Sequence, residues 1–506
     1  MILMGLGKRV RLGGGGRRAP VIARTVTGLV AGLLLVLMAA LRSDGQTVAT
    51  LAQVKKVYVD RFEEGDEAEP LRQSLVKRLA KSGRFQVVDV AEGADAIVKG
   101  SGEVWVKGYM TVNARTPSSD RQPVYGGYLS VELVSREGEP LWSYLVTPSK
   151  LAWMRVRDDL ANNLVKQMIL ASEQANGQTV FSSAAASAVK LTHTELAGAG
   201  ATFPAPLYRK WFASFQRLHP GVQIRYQEIG SEAGVAALQA GTVDFAASDL
   251  PATEDGMSDG KVRRIASVLG AVVPVYHLDG VDRDLRFTPS LLAGIYLGRI
   301  RRWSDPEIRK ANKDVDLPDT EIVVIHRSDG SGTTYAWSDF LARTNADWKA
   351  QLGVGTKLKW PIGTGLEGNE KVATAVQGTP NSIGYVELVY AIQHHLSFGS
   401  VRNQAGEFVH ADLDSLAEAA RPAAGVNQSG VAASILDAPG KNAYPIATFT
   451  WLLVPAANGD AGKQAAMESL LEWILVEGQR ECSSLGYAPL PKEVAEGQAA
   501  ALRTKR

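Results

Sequence analysis

Residues 321–340 read EIVVIHRSDGSGTTYAWSDF and contain a complete strand, turn and helix pattern. The first part, residues 322–325, is apolar and β-branched, which is typical of a short buried strand. The last part is amphipathic, with one apolar helix face formed by Trp337, Phe340 and Leu341. Ser331 lies between the two, where the N-cap of the predicted helix belongs.

The turn within this stretch carries groups that suit an oxyanion. The first N–H groups of a helix have no intrahelical partner, and the helix dipole favours negative charge there. Arg327 adds a planar fork of donors that can bind two oxygens of a tetrahedral oxyanion. One glycine- and serine-rich turn is weak evidence, because many such turns are only tight connections. Two similar turns upstream strengthen the prediction.

Each upstream turn joins a predicted strand to a predicted helix. Thr202 and Phe203 precede a helix whose apolar residues recur every four positions, starting at Leu207. Ser231 is predicted to cap a short helix that Gly241 closes.

The strand predicted over residues 243–249 comes next, and its outer end presents Ser248 and Asp249. Ligands of open α/β sheets gather outside the carboxyl ends of the strands. The sequence therefore predicts that three helix N-termini aim at one anion.

Several segments of this region resemble, in the same order, the periplasmic phosphate-binding proteins of ABC importers. The resemblance runs from Leu196 to about Pro491, which is about three fifths of the chain. The segments are GAGATFPAP (198–206), IGS (229–231), TVDFAASD (242–249), IYLGRIRRW (295–303), RSDGSGT (327–333), KWPIG (359–363), SIGYVE (382–387) and GYAPLP (486–491).

The resemblance implies an α/β, two-lobed type II periplasmic-binding-protein fold for residues 193–506. It implies that the chain passes to the second lobe near residues 272–275 and returns near residues 444–446. Lobe one would then comprise residues 193–272 and 447–506, and lobe two residues 273–446.

The resemblance also implies a set of phosphate ligands from both lobes. Asp329 would pair with Arg327 behind them and hold the guanidinium in place. The family usually has Ser or Gly, then Gly, after the serine of the second turn, whereas this chain has Glu232 and Ala233. An added carboxylate would weaken anion binding unless it faces solvent. The implied ligands are Thr202, Phe203, Ser231, Asp249, Arg327, Ser331, Gly332 and Thr333.

Asp249 is the predicted selectivity element. Phosphate keeps at least one proton near neutral pH and can donate it to a carboxylate, whereas sulfate has none to donate. A site built around such an acceptor can reject the wrong ligand by roughly 10⁴-fold. The plainer alternative is that Asp249 caps a neighbouring helix.

Length and composition agree with this interpretation. A chain of 506 residues, 45% of them hydrophobic, predicts about two to four globular domains. The net charge of +2 gives no sign of a nucleic-acid partner. The lone Cys482 forbids an intramolecular disulfide and a zinc cluster, so we expect a packed core thiol. The sequence predicts no cofactor, no metal site and a monomer.

The N-terminus, residues 1–46, predicts a signal peptide or signal anchor. Six basic residues precede an apolar run over residues 26–41 that contains no charge. No good cleavage site follows, so we favour export with an uncleaved or late-cleaved anchor in the membrane. Arg17-Arg18 invites a twin-arginine interpretation, which Pro20 weakens.

Residues 47–171 predict a separate small α+β domain of unknown role. Its pattern is βαββββα, with a mostly antiparallel sheet. Its strand aromatics are either an interaction surface or, as is more typical, part of the core: Tyr109, Tyr125, Tyr128, Trp142 and Tyr144. Residues 172–192 are small and polar and predict a flexible linker, so we expect the two folded parts to move independently.

The predicted function is high-affinity binding of inorganic phosphate on the periplasmic side of the cytoplasmic membrane. By resemblance, an ABC permease for phosphate import would receive the ligand. Ser331, His326 and Asp329 supply the residue types of a hydrolytic triad, but no nucleophile-elbow pattern surrounds them, so an enzyme such as a phosphatase is less favoured. The extra domain leaves open a membrane-tethered phosphate sensor or an envelope scaffold.

Overall fold

The computed structural model describes most of the chain beyond the N-terminal segment. The described residues are 50–63, 65–111, 121–148, 155–175, 194–251, 260–281, 283–422, 434–457 and 459–503. The predicted signal or anchor, residues 1–46, lies outside them. Within the described ranges, none of the helices combines the length and the apolar character that a membrane crossing needs.

The small domain, residues 50–175, is a five-stranded sheet in the order β2-β1-β3-β4-β5 with two helices packed on it. The predicted order βαββββα is confirmed. β1 pairs in parallel with β2 and β3, while the longer β3–β4 and β4–β5 ladders are antiparallel. The elements are β1 (Lys56–Val59), α1 (Ala68–Lys81), β2 (Gln86–Val88), a 3-10 turn (Ala91–Gly93), β3 (Ala96–Thr111), β4 (Arg121–Ser135), β5 (Pro140–Val146) and α2 (Val156–Ala175).

The sequence predicts a flexible linker over residues 172–192 and independent movement of the two folded parts. Helix α2 continues to Ala175, so the first four residues of the predicted linker are helical. The remaining linker residues, 176–192, lie outside the described residues. The described residues from 50 onwards form one compact unit, so the two folded parts are in contact in this structure, and their independent movement stays a prediction.

The second part is built around one large mixed sheet in the order β12-β11-β13-β9-β17-β8-β6-β7, with β14 also paired to β9. A small second sheet has the order β10-β15-β16. The strands are β6 (Thr194–Gly200), β7 (Val222–Glu228), β8 (Phe245–Ser248), β9 (Val262–His277), β10 (Arg286–Phe287), β11 (Val323–Arg327), β12 (Thr364–Leu366), β13 (Ser382–Glu387), β14 (Ser397–Phe398), β15 (Ser400–Arg402), β16 (Phe408–Val409) and β17 (Ala447–Pro455).

Helices cover this sheet, and their apolar faces form one continuous core with it. The helices are α3 (Ala205–Leu218), α4 (Ser231–Gln239), α5 (Pro289–Tyr296), α6 (Pro306–Ala311), α7 (Gly332–Thr344), α8 (Ala346–Gln351), α9 (Gly368–Gly378), α10 (Leu388–Gln393), α11 (Leu413–Ala420), α12 (Ala461–Val476), the 3-10 helix Gly478–Leu485 and α13 (Lys492–Arg503). Cys482 is buried in this core, as predicted.

Strand β9 connects the two lobes. Its residues 262–271 pair with β17, whereas residues 272–277 pair with β13. The pairing therefore changes partner where the sequence predicts the first crossing, and we keep the predicted lobe boundaries as names for the two halves. The two-lobed α/β fold is confirmed.

The turns that the sequence singles out all lie at carboxyl ends of strands. In lobe one, β6, which is parallel to β7 and β8, leads to α3 and β7 leads to α4. In lobe two, β11 leads to α7 and its parallel neighbour β12 leads to α9. Parallel strands end at the same edge of a sheet, so each lobe presents helix N-termini along one edge.

Candidate anion-binding site

Arg327, the last residue of β11, is the charged centre of the site and is only 2% exposed. Its Nε and Nη2 donate to the two carboxylate oxygens of Asp329 at 2.7 and 2.5 Å, which is the predicted pair. Burial alone would raise the pKa of Asp329, but the hydrogen bonds and charge of Arg327 lower it below its ordinary value. The remaining guanidinium nitrogen, Nη1, donates to Thr333 Oγ1 at 3.3 Å. The pair therefore fixes the guanidinium with one edge directed at the helix start.

Ser331 is the N-cap of helix α7, as predicted. Its Oγ accepts the N–H of Thr334 at 3.1 Å. The next residue, Gly332, touches the opposite lobe, since a β-carbon there would lie 2.5 Å from Ser231 Oγ and 2.6 Å from Asp249 Oδ2. Only a residue without a side chain permits this approach. The start of α7 is thus in contact with lobe one.

Ser231 is not the helix cap that the sequence predicts. Gly230 is the N-cap of α4, and it adopts a φ of 91°, a left-handed conformation that favours glycine. Ser231 becomes the first helical residue, and its Oγ accepts the N–H of Asp249 at 3.3 Å. The serine hydroxyl therefore faces the site instead of the helix end. The predicted closure of this helix by Gly241, with a φ of 67°, is confirmed.

Asp249 follows β8 and is 3% exposed. Its Oδ1 accepts the hydroxyl of Thr450, on the neighbouring strand β17, at 2.6 Å. Burial raises the pKa of Asp249 to about 7, although the Thr450 hydrogen bond, the charge of Arg327 and the Ser231 contact oppose the rise. A carboxylate with a pKa near neutrality can exchange a proton with a ligand at working pH.

Asn369, in the first turn of α9, is a site residue that the sequence analysis missed. It is fully buried, and its Nδ2 donates to Thr202 Oγ1 at 2.9 Å and to Thr333 Oγ1 at 3.3 Å. Thr202 is in lobe one and Thr333 in lobe two, so one amide joins the lobes. The signal was a fourth glycine-rich segment, residues 363–368, which comprises the short strand β12 and the start of α9.

The Asn369 amide also decides which way the two threonine hydroxyls face. Thr333 Oγ1 accepts from Asn369 and from Arg327, which occupies both of its lone pairs. Its own O–H must then be donated to another acceptor. Thr202 Oγ1 likewise accepts from the backbone N–H and the Nδ2 of Asn369, so both hydroxyls are left to donate to an anion.

The turn that carries Thr202 and Phe203 is anchored from behind. Tyr390 donates to the Thr202 carbonyl at 2.7 Å, and Tyr487 donates to the Phe203 carbonyl at 2.6 Å. Because both carbonyls are held by phenols, the N–H side of this turn is fixed at the start of α3.

Glu232 lies on the exposed side of α4 and reaches the other lobe. Its Oε2 accepts the hydroxyl of Thr356 at 3.0 Å, and its N–H donates to the carbonyl of Gly330 at 3.1 Å. The added carboxylate is therefore exposed and engaged with lobe two.

The hydrolytic alternative finds no support in the position of His326. Its ring stacks on Trp360 at 4.6 Å, and its Nδ1 lies 3.0 Å from the Arg327 carbonyl. Burial lowers the pKa of His326. The Ser331 hydroxyl is the helix cap. Across the part of the chain that the structure describes, His, Cys, Asp and Glu residues form no group able to hold a metal ion.

Comparison with known proteins decides the family. A model described as a PBP superfamily domain matches residues 173–477. The Phosphate-binding protein PstS of Xylella fastidiosa is 39% identical over 326 residues, which span 64% of this chain and 88% of the relative. The chain belongs to the phosphate-binding protein family.

Two further comparisons cover the same region. The Phosphate-binding protein PstS of Pasteurella multocida is 36% identical over 302 residues, spanning 60% of this chain and 88% of the relative. A solved phosphate-binding protein from Stenotrophomonas maltophilia covers 60% of this chain and 93% of its own, with 18% identity and a TM-score of 0.49. The family model begins at residue 173, so the sheet of the small domain lies outside it.

Proposed function

We propose that this chain binds inorganic phosphate outside the cytoplasmic membrane and delivers it to an ABC transporter for import. The observation that carries the proposal is a buried carboxylate, Asp249, opposite a buried guanidinium, Arg327, at the contact between the lobes. Family membership and the names of the relatives support it.

Phosphate satisfies both of these groups at once. Its charged oxygens would accept from the remaining N–H groups of Arg327 Nη1 and Nη2 and from N–H groups at the helix starts, while its proton would be donated to Asp249. Sulfate offers the same oxygens and no proton, so it would leave Asp249 unpaired and repelled. The proposed ligands are those implied by the sequence: Thr202, Phe203, Ser231, Asp249, Arg327, Ser331, Gly332 and Thr333.

The ligand would hold the lobes together, because its donors come from both. Thr202, Ser231 and Asp249 belong to lobe one, and residues 327–333 belong to lobe two. Only the closed arrangement offers the complete set, so phosphate would shift the population towards closure. No chemistry on the ligand is proposed. The chain would be an exported monomer, held to the membrane by its N-terminal segment or released by cleavage, and would meet the importer's permease.

Calorimetric titration of the full chain with phosphate and then with sulfate tests this function. We expect micromolar or tighter phosphate binding and sulfate binding weaker by roughly 10⁴-fold. Asp249→Asn should weaken phosphate binding and narrow the gap to sulfate. Asp347→Asn, which removes an exposed carboxylate paired with Arg299 in lobe two, is the control and should change neither. Equal binding of both anions by the wild type would refute the proposal.

A second candidate, a membrane-tethered phosphate sensor, is favoured by the small domain that precedes the family match. The genes next to this one distinguish a sensor from the binding protein of a transporter. Permease and ATPase genes beside this gene favour transport, and a kinase gene favours sensing.

A further inference from the structure

The small domain is joined to lobe one by buried hydrogen bonds around the 3-10 helix Gly478–Leu485. Ser130 Oγ donates to the Ser484 carbonyl at 2.6 Å, and the Ser484 N–H donates to Ser143 Oγ at 3.2 Å. All three serines are buried. Arg480 adds a bond from Nη1 to the Pro140 carbonyl at 3.2 Å. Buried, satisfied contacts of this kind are costly to break.

The same domain contacts lobe two through more exposed side chains. Tyr144 Oη donates to Asp414 Oδ1 at 3.0 Å. His395 Nε2 lies 2.8 Å from Glu103 Oε2, and the His395 ring stacks on Trp105 with centroids 4.0 Å apart. The Glu103 side chain is 49% exposed. Two further contacts of this set are Gln167 with Asp414 and Lys107 with Asp284.

Neighbouring residues of strand β5 show how closely the two sets are coupled. Ser143 bonds to lobe one, and Tyr144, the next residue, bonds to lobe two. A rigid strand is therefore fastened to both lobes. If the lobes rotate about β9, one set of contacts must change, and the exposed set on lobe two costs less to break.

We propose that the small domain is a built-in regulator of lobe closure, which stays with lobe one and grips lobe two in the closed arrangement. Its exposed contacts stabilise the closed state before the ligand arrives and so raise the affinity for anions. The affinity effect rests on the proposed phosphate-binding function, whereas the effect on closure does not. A binder whose competent state is more populated shows a proportionally lower apparent Kd.

A double variant of the full chain, Glu103→Ala with Asp414→Ala, tests the proposal. It removes one carboxylate from the small domain and one from lobe two, both at the contact. We expect its phosphate Kd to rise about fivefold or more, the lower end of ordinary coupling between sites. The control is Glu69→Ala with Asp347→Ala, which also removes one carboxylate from each part, but from pairs within that part. The control should keep the wild-type Kd.

A distance measurement separates this proposal from the proposed function. Spin labels on cysteines introduced at the exposed residues Leu218 in lobe one and Lys310 in lobe two report the separation of the lobes without any ligand. Cys482 is buried and should stay unlabelled. We expect longer and broader distances in the contact variant than in the control. A distance distribution equal to that of the control overturns the proposal, whatever the affinity. Failure of the wild type to bind phosphate would refute only the proposed function.

Discussion

Lobe two makes two kinds of contact with the rest of the molecule, and they differ in burial. At the anion site, Arg327 and Asn369 are buried and hydrogen-bonded, Arg327 to Asp329 and Asn369 to Thr202. At the small domain, Glu103, Asp414 and His395 lie at a partly exposed surface. Buried polar contacts fix a geometry, because leaving one unpaired is costly, whereas exposed contacts can break and reform. The first kind therefore determines which ligand binds, and the second how readily the lobes separate.

The largest expected effect comes from removing the buried cation. Arg327→Ala leaves the half-buried Asp329 carboxylate without its partner and removes the cation next to the ligand position, so phosphate affinity should fall roughly 10³-fold, or about 4 kcal/mol. Arg343→Ala, in the same helix as the site but in an exposed pair with Asp339, is the control. Calorimetric titration with phosphate measures the Kd of both variants. Similar affinities would show that burial at the anion site has no special role.

The pH dependence of stability isolates Asp249. Its pKa is raised from 3.8 to about 7, so the folded state holds this proton more tightly than the unfolded state. A raised carboxyl pKa means that stability is lost as pH rises from about 4 to about 7, by at most roughly 4 kcal/mol. Urea unfolding without phosphate should show that Asp249→Asn gains stability over the wild type across this window. A difference that does not change with pH would contradict the burial argument.

Asn369 tests a buried contact between the lobes without the removal of a charge, because its side chain is neutral. Asn369→Ala removes the amide that orients the Thr202 and Thr333 hydroxyls and should weaken phosphate binding about 10- to 30-fold, or about 2 kcal/mol. Asn369→Asp keeps the shape, replaces a donor by an acceptor and adds a charge, so it should cost more. If Asn369 had only a structural role, Asn369→Ala would weaken phosphate binding more than Asn369→Asp. Its melting temperature would then fall in proportion.

The smallest effect is expected at the exposed contact between Glu232 and Thr356. Glu232→Ala and Thr356→Val should each weaken phosphate binding about two- to threefold, since exposed contacts contribute less than about 1 kcal/mol. The double variant should cost no more than either single one, which a double-mutant cycle measures. Tighter binding by Glu232→Ala would mean that the carboxylate acts mainly by repelling the anion.

The parts of the site that are local in sequence could be predicted, and the parts assembled from distant strands could not. Arg327, Asp329 and Ser331 lie within one turn; the N-cap follows from residue type and spacing, and the pair was implied by the family resemblance. Thr450 meets Asp249 only because β17 pairs with β8, a contact 201 residues apart. Ser231 was placed at the cap because serine favours that position, whereas the left-handed Gly230 takes it.

The same distinction between local patterns and distant contacts explains which features of the small domain could be predicted. Its order of elements follows from periodicity along the chain and was predicted correctly. Its attachment to both lobes depends on serines, aromatics and charged side chains at the contact that carry no periodic signal, and the linker composition favoured independence. Of the strand aromatics, Tyr128 packs against the core of the binding module, Tyr125 and Trp142 pack against the small domain's own core, and Tyr144 packs against both. The side chain of Tyr109 lies outside those that the structure describes. Both interpretations of these residues hold in part.

The most direct test of the central claim is a crystal structure of the chain with phosphate bound. We expect one anion between the lobes, within hydrogen-bonding distance of Arg327 Nη1 in lobe two and of Thr202 and an Asp249 oxygen in lobe one. An anion that contacts a single lobe, or one that leaves Asp249 without a hydrogen bond to the ligand, would contradict the account.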